Sequence, residues 1–158
     1  KNNLRIRFMG DRSRFAPALQ KGMADAESKT AGNSGMMLVI AVSYGGQWDV
    51  AHAARQLALK VQAGELDPQA LTDADWQKQL HQQTQISDLP PVDMLIRTGG
   101  DLRISNFMLW QSAYAEFYFT DVLWPDFDGA ALDQALADYA RRQRRFGRTS
   151  AQVEARHA

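Results

Sequence analysis

The sequence predicts an α/β fold with a mainly parallel sheet flanked by helices. Three observations carry this. Short β-rich runs alternate with stretches of helical periodicity along the chain. The run over residues 36–42 is almost continuously apolar, the pattern of a strand covered on both faces. Polar turns follow three of the strand-like runs, at Gly10-Asp11, Ser43-Tyr44-Gly45-Gly46 and Arg97-Thr98-Gly99-Gly100-Asp101, where open α/β sheets bind their ligands.

The strand-like runs are residues 5–9, 36–42, 92–97 and 116–120. The first follows Lys1-Asn2-Asn3 at once, with no turn or cap before it, and reads as an internal strand of a larger sheet. The fold is therefore expected to be incomplete at the N-terminus; an edge strand opening a complete domain is the alternative. A helix is expected over 17–30, with Pro17 at its first position and Gly32 as its stop. Residues 49–63 place Val50, Ala53, Ala54, Leu57, Ala58 and Val61 at helical spacing. Thr72-Asp73-Ala74-Asp75 resembles a capping box and opens a helix toward Gln83. Pro90-Pro91 marks a loop before the third strand. Residues 105–115 have a period near three and many large apolar residues, and a helix is expected to start there. A last amphipathic helix spans 131–146 and stops at Gly147. Residues 1–147 are thus expected to form the C-terminal part of one domain, and 148–158 a flexible tail.

The balance of 18 basic and 18 acidic residues leaves no net charge. That gives no global attraction to nucleic acid or to an anionic membrane, so any anion site must be local. With 45% hydrophobic residues the chain can build a core. The absence of cysteine excludes disulfides, thiol catalysis and zinc–thiolate sites. No apolar run is long enough to span a bilayer, and a cytoplasmic location is expected.

The richest strand end runs from Arg97 to Ser105. Arg97 and Arg103 offer forks of donors that grip phosphate oxygens in pairs. Gly99 and Gly100 let backbone N–H groups approach an anion. Ser105 adds a hydroxyl, and a helix starting there would add its positive end. A tight turn whose arginines pair with surface carboxylates is the competing reading. Glu116 lies among aromatic and apolar residues, where a carboxylate needs a cation. That cation could be magnesium, which takes one or two carboxylates with phosphate oxygens, or an arginine. Arg141-Arg142-Gln143-Arg144-Arg145-Phe146-Gly147-Arg148 reads as a solvated basic face or as an anion clamp using Arg145 and Gly147. His52, His81 and His157 have no metal-ligand spacing and read as surface residues. Trp48, Trp76, Trp110 and Trp124 read as core or interface anchors.

Several long blocks resemble, in order, the signatures of the cis-prenyltransferase family. They are Val92 through Gln111, with Arg97-Thr98-Gly99-Gly100-Asp101-Leu102-Arg103-Ile104-Ser105-Asn106-Phe107 at its centre; Tyr114 through Phe127; Ser43 through Asp49; and Arg144-Arg145-Phe146-Gly147. The resemblance covers residues 4–147 and points to the bacterial undecaprenyl diphosphate synthase type. It implies condensation of isopentenyl diphosphate with farnesyl diphosphate into a long cis-polyprenyl diphosphate, the precursor of the cell-wall lipid carrier. It also implies magnesium, a homodimer, and peripheral membrane contact through the lipid product. Carried over, Arg97, Arg103 and Ser105 would bind the isopentenyl diphosphate, Glu116 would hold Mg2+, and Arg145 and Gly147 would complete the partner's site. Met36 would lie toward the far end of the product tunnel.

The sequence departs from the family pattern in three places. Asp101 stands where the family usually has glutamate, and Leu102 where some members have histidine. The family's Gly-Asn-Gly-Arg loop, whose aspartate binds the allylic diphosphate, is absent from the 158 residues, so this chain alone is expected to be inactive. Two other readings stay open: a non-catalytic supporting subunit of a prenyltransferase, and an unrelated phosphate-binding α/β domain.

Overall fold

A computed structural model describes residues 2–142. They form two compact units, residues 2–90 with 106–110, and residues 91–105 with 111–142.

In the first unit, strands β1 (Arg5–Met9) and β2 (Met37–Ala41) pair in parallel, Arg5 opposite Met37 and Met9 opposite Ala41. Parallel neighbours need a long crossover, and helix α1 (Pro17–Thr30) supplies it with Pro17 in its first turn. Side chains of α1 also close the outer edge of β1. Thr30 Oγ1 accepts from the Ile6 amide at 3.0 Å and Glu27 Oε1 from the Phe8 amide at 2.7 Å. The edge thus presents fewer free amides to another chain. Arg12 holds Glu27 through both carboxylate oxygens at 2.6 and 2.7 Å.

Helices α2 (Gly46–Gln62) and α3 (Asp73–Gln83) pack on each other, with Ala53 and Leu57 buried. The capping box of α3 forms as its sequence predicts: Thr72 Oγ1 accepts from the Asp75 amide, and Asp75 accepts from the Thr72 amide at 3.0 Å.

The second unit holds strands β3 (Met94–Arg97) and β4 (Glu116–Phe119), again parallel, with Met94 opposite Glu116 and Arg97 opposite Phe119. Helix α4 (Gly129–Arg141) starts at Asp128, which accepts from the Ala131 amide at 2.9 Å, and buries Ala135. The class is α/β, and both described strand pairs are parallel.

Several elements differ from expectation. β2 is not covered on both faces among the described residues: Leu38 and Ile40 lie exposed on one side of it. α2 begins three residues earlier than its apolar periodicity suggests, because Gly46 and Gln47 already donate to an acceptor outside the helix. No helix forms over 105–115, which is a series of turns. Ser105, Asn106 and Met108 adopt positive φ of 46°, 64° and 48°, and left-handed residues break a helical ladder. α4 ends at Arg141, short of residue 146, because Arg142 is extended. His52 is half-buried and stacked on Trp48 at 5.3 Å, and Trp124 is exposed. The tail over 148–158 and His157 lie outside the described residues. No described helix is long and apolar enough to cross a membrane.

Candidate functional site

β3 ends on Arg97, and the chain then turns through Gly99 and Gly100, with φ of 87° and 80°. Only glycine takes such values without strain. Their amides do not face open space. Gly99 donates to the Val122 carbonyl at 2.9 Å and Gly100 to the Thr120 carbonyl at 3.0 Å. The expectation that these amides approach an anion is therefore corrected: they tie the loop to the chain after β4. The loop also passes close to Asp121, whose Oδ1 would stand 3.1 Å from a Cβ on Gly100.

The fold-back links the three predicted residues: Arg97 and Arg103 meet at Asp101, and Ser105 joins Arg97. Arg97 Nη2 donates to Asp101 Oδ2 at 2.6 Å, and Arg103 Nη2 donates to the same oxygen at 2.9 Å. Arg97 Nη1 donates to Ser105 Oγ at 2.9 Å. Arg97 is thus gripped from two sides and is largely covered, whereas the Arg103 side chain is 69% exposed. The two guanidiniums converge on one anionic oxygen, the arrangement by which arginines grip carboxylate or phosphate. The helix N-terminus expected after Ser105 contributes nothing, since no helix starts there.

Glu116 is apart from this cluster on the strand pair. It opens β4 opposite Met94, while Arg97 closes β3 opposite Phe119; three residues of strand separate the two levels by roughly 10 Å. Its cation is Arg142. Arg142 Nη1 donates to Glu116 Oε2 at 3.1 Å and to the Phe117 carbonyl at 2.8 Å, while Nε and Nη2 hold Asp138 at 3.0 and 2.6 Å. The hydrogen bonds that Arg142 donates to Asp138 and Glu116 hold its pKa above the ordinary value. The arginine alternative raised by the sequence is the one seen. The donors nevertheless suit a hard cation in kind: a carboxylate oxygen and a carbonyl oxygen converge on one positively charged nitrogen, and magnesium takes oxygen ligands. Among the described residues, no three His, Cys, Asp or Glu side chains gather as metal ligands. Arg145 and Gly147 lie outside the described residues.

Sequence reasoning missed two residues of the first unit. Asn106 caps α2 from 59 residues away: its carbonyl accepts from the Gly46 amide at 2.6 Å and its Oδ1 from the Gln47 amide at 2.8 Å. Gly46 lets the following turn approach, since a Cβ there would lie 2.9 Å from the Leu109 amide nitrogen. Asp49 is buried in α2, accepting from the Tyr44 hydroxyl at 2.9 Å and the Gln85 amide at 2.8 Å. A buried carboxylate needs such donors. Its only signal in the sequence is an acidic residue in a helix's first turn.

A family model described as "Putative undecaprenyl diphosphate synthase" matches residues 1–147. The chain belongs to this prenyltransferase family. A ditrans,polycis-undecaprenyl-diphosphate synthase, (2E,6E)-farnesyl-diphosphate specific, of Pseudomonas putida is 57% identical over 154 residues, 98% of this chain and 60% of the relative. A synthase of the same description from Vibrio cholerae is 52% identical over 155 residues, again 98% and 60%. Among solved structures, lavandulyl diphosphate synthase from Lavandula x intermedia, in complex with dimethylallyl diphosphate, superposes with a TM-score of 0.85. It is 41% identical, over 93% of this chain and 61% of that one. A "probable undecaprenyl diphosphate synthase" from Campylobacter jejuni gives a TM-score of 0.77 at 31% identity, over 93% and 64%. The prenyltransferase chain described here spans about 60% of the length of the curated relatives it matches.

Proposed function

We propose that the chain is part of a cis-prenyltransferase that condenses isopentenyl diphosphate with farnesyl diphosphate into undecaprenyl diphosphate. The observation that carries this reading is the convergence of Arg97 and Arg103 on one oxygen, with Ser105 on the far side of Arg97. These donors would bind the diphosphate of isopentenyl diphosphate. Arg103 keeps nitrogens beyond the one given to Asp101, and the Ser105 hydroxyl, already an acceptor, has its proton to donate. Held by its charged head, the substrate would present its double bond to the allylic carbon. A carbon–carbon bond forms, the allylic diphosphate departs and a proton is lost. The head must be oriented without blocking the apolar end, which grows and has to leave water.

Magnesium belongs to the proposal. Glu116 and the Phe117 carbonyl would hold it in exchange for Arg142, and it would neutralise phosphate charge. Arg145 and Gly147 would complete the partner's site in a homodimer, residues 1–147 would belong to one domain, and a cytoplasmic enzyme would meet the membrane through its product. Because the 158 residues contain no Gly-Asn-Gly-Arg loop, long-chain synthesis by them in isolation is not expected.

Calorimetric titration with isopentenyl diphosphate and, separately, with ATP tests the reading. Binding of the first and not the second is expected. Equal or preferential binding of ATP would replace it with a nucleotide-binding role.

A further inference from the structure

Asp101 is a puzzle for a site meant to hold an anion. It places a negative charge between the two arginines that would receive a diphosphate. We infer that Asp101 is a positioning residue for that diphosphate, aiding its binding by fixing both guanidiniums in one geometry despite repelling it. This rests on the function proposed above.

Three features of the second unit carry the inference. First, one oxygen of Asp101 accepts from both arginines, at 2.6 and 2.9 Å, so a single side chain sets the angle between the two forks. Second, the arginines depend on it unequally. Arg97 is also held by Ser105, but among the described residues Asp101 is the only partner of Arg103, whose side chain is 69% exposed. A long exposed side chain without a partner samples many rotamers, and ordering it on binding weakens affinity. Third, Asp101 is itself anchored. The preceding Gly99 and Gly100 donate to the carbonyls of Val122 and Thr120, so the carboxylate is carried on a pinned loop.

Two effects of opposite sign compete when the carboxylate is neutralised. Coulomb repulsion of the ligand is relieved, but the site is solvent-exposed, where the dielectric is high and salt screens the charge. The hydrogen bonds that set the arginines are lost as well, and bonds between charged groups are about twice as strong as neutral ones. Alignment outweighs repulsion here because it acts through two guanidiniums, one of which has no other described hold.

The test is calorimetric titration of the 158-residue chain and its variants with isopentenyl diphosphate and with inorganic diphosphate. Asp101→Asn is expected to weaken both by about tenfold, and Asp101→Glu, which keeps the charge, to stay within about threefold of the parent. A general structural role would not be rescued this way, and thermal melts of each variant check that the fold is kept. In an Arg103→Gln background the Asp101→Asn effect should shrink, because contacting residues couple. Unchanged or tighter binding by Asp101→Asn would overturn the inference while leaving the proposed function standing. Failure of the parent chain to bind either diphosphate would overturn both. If Asp101→Asn unfolds the chain, Asp101→Ser in the parent and in the Arg103→Gln background decides: weakening that is clearly larger when Arg103 is present supports the inference, and equal weakening or none in the two backgrounds sinks it.

Discussion

Arg97 bridges Asp101 and Ser105 with its two terminal nitrogens, at 2.6 and 2.9 Å. A lysine in its place could reach one of them but not both in the same plane. Arg97→Lys therefore keeps the charge and loses the fork. Its affinity for isopentenyl diphosphate, read by calorimetry, is expected to fall by about tenfold or more, since bonds to charged groups contribute about 1.5–3 kcal/mol each. A site that needed positive charge alone would tolerate the change.

The turn over 105–109 makes a second prediction, in stability. Asn106 caps α2 through two acceptors, so Asn106→Ala should lower the unfolding free energy by about 1 kcal/mol. Gly46→Ala should be worse. Its Cβ would meet Leu109 Cγ at 2.6 Å and the Leu109 amide nitrogen at 2.9 Å, an overpacking of about 1–3 kcal/mol. Gly22, exposed within α1 and with nothing within 4 Å of a Cβ, gives the opposite sign. Gly22→Ala should stabilise by about 0.5–1 kcal/mol through helix propensity. Urea denaturation of the three variants checks both the ranking and the change of sign.

These positions also show what the sequence could and could not disclose. The Thr72–Asp75 capping box was legible because both partners lie within one helical turn. Arg97, Arg103 and Ser105 were legible as a group because a short loop must fold them together. The start of α2 and the missing helix over 105–115 were not, because both follow from Asn106 meeting a helix end 59 residues away. Left-handed backbone at three non-glycine residues, Ser105, Asn106 and Met108, has no compositional signal. The glycine amides were misread for a related reason: the motif shows where donors can approach an anion, but only the tertiary path of residues 120–122 shows that they are already taken. Glu116 needed a cation, as its apolar setting implies. Which cation depends on Arg142, 26 residues later.

That ion pair leads to a third prediction. If magnesium replaces Arg142 at Glu116, the arginine competes with the metal for the same oxygen. Removing it with Arg142→Gln should raise divalent-ion affinity, and Glu116→Gln should abolish it. Paramagnetic broadening by Mn2+ of the backbone resonances around residues 116–118 reads this directly and needs no catalysis. Broadening that persists in Glu116→Gln would place the ion elsewhere, and an unchanged affinity in Arg142→Gln would reject the competition.

Glu27 provides a prediction in pH. Hydrogen bonds from Arg12 hold its carboxyl below the ordinary glutamate value of 4.5; partial burial opposes this, and the Phe8 amide adds to it. A carboxylate whose pKa is lower in the folded state favours folding once ionised. Its contribution is complete above the unfolded value and is lost as pH falls through the folded one. This part of the stability should therefore be flat from neutral pH down to about 4.5 and decline below it. Protonation would break the tie that joins α1 to the outer edge of β1 through Arg12 and the Phe8 amide. Glu27→Gln removes the charge at every pH. At pH 7 it should lower the melting temperature by about 5 °C, on the scale expected for losing one charged hydrogen-bonded pair. Below pH 4.5 the gap between parent and variant should narrow, because the parent then loses the same charge. Melting curves of both proteins from pH 7 to pH 3 measure that gap, and a gap that widens on acidification would contradict the assigned role of Arg12.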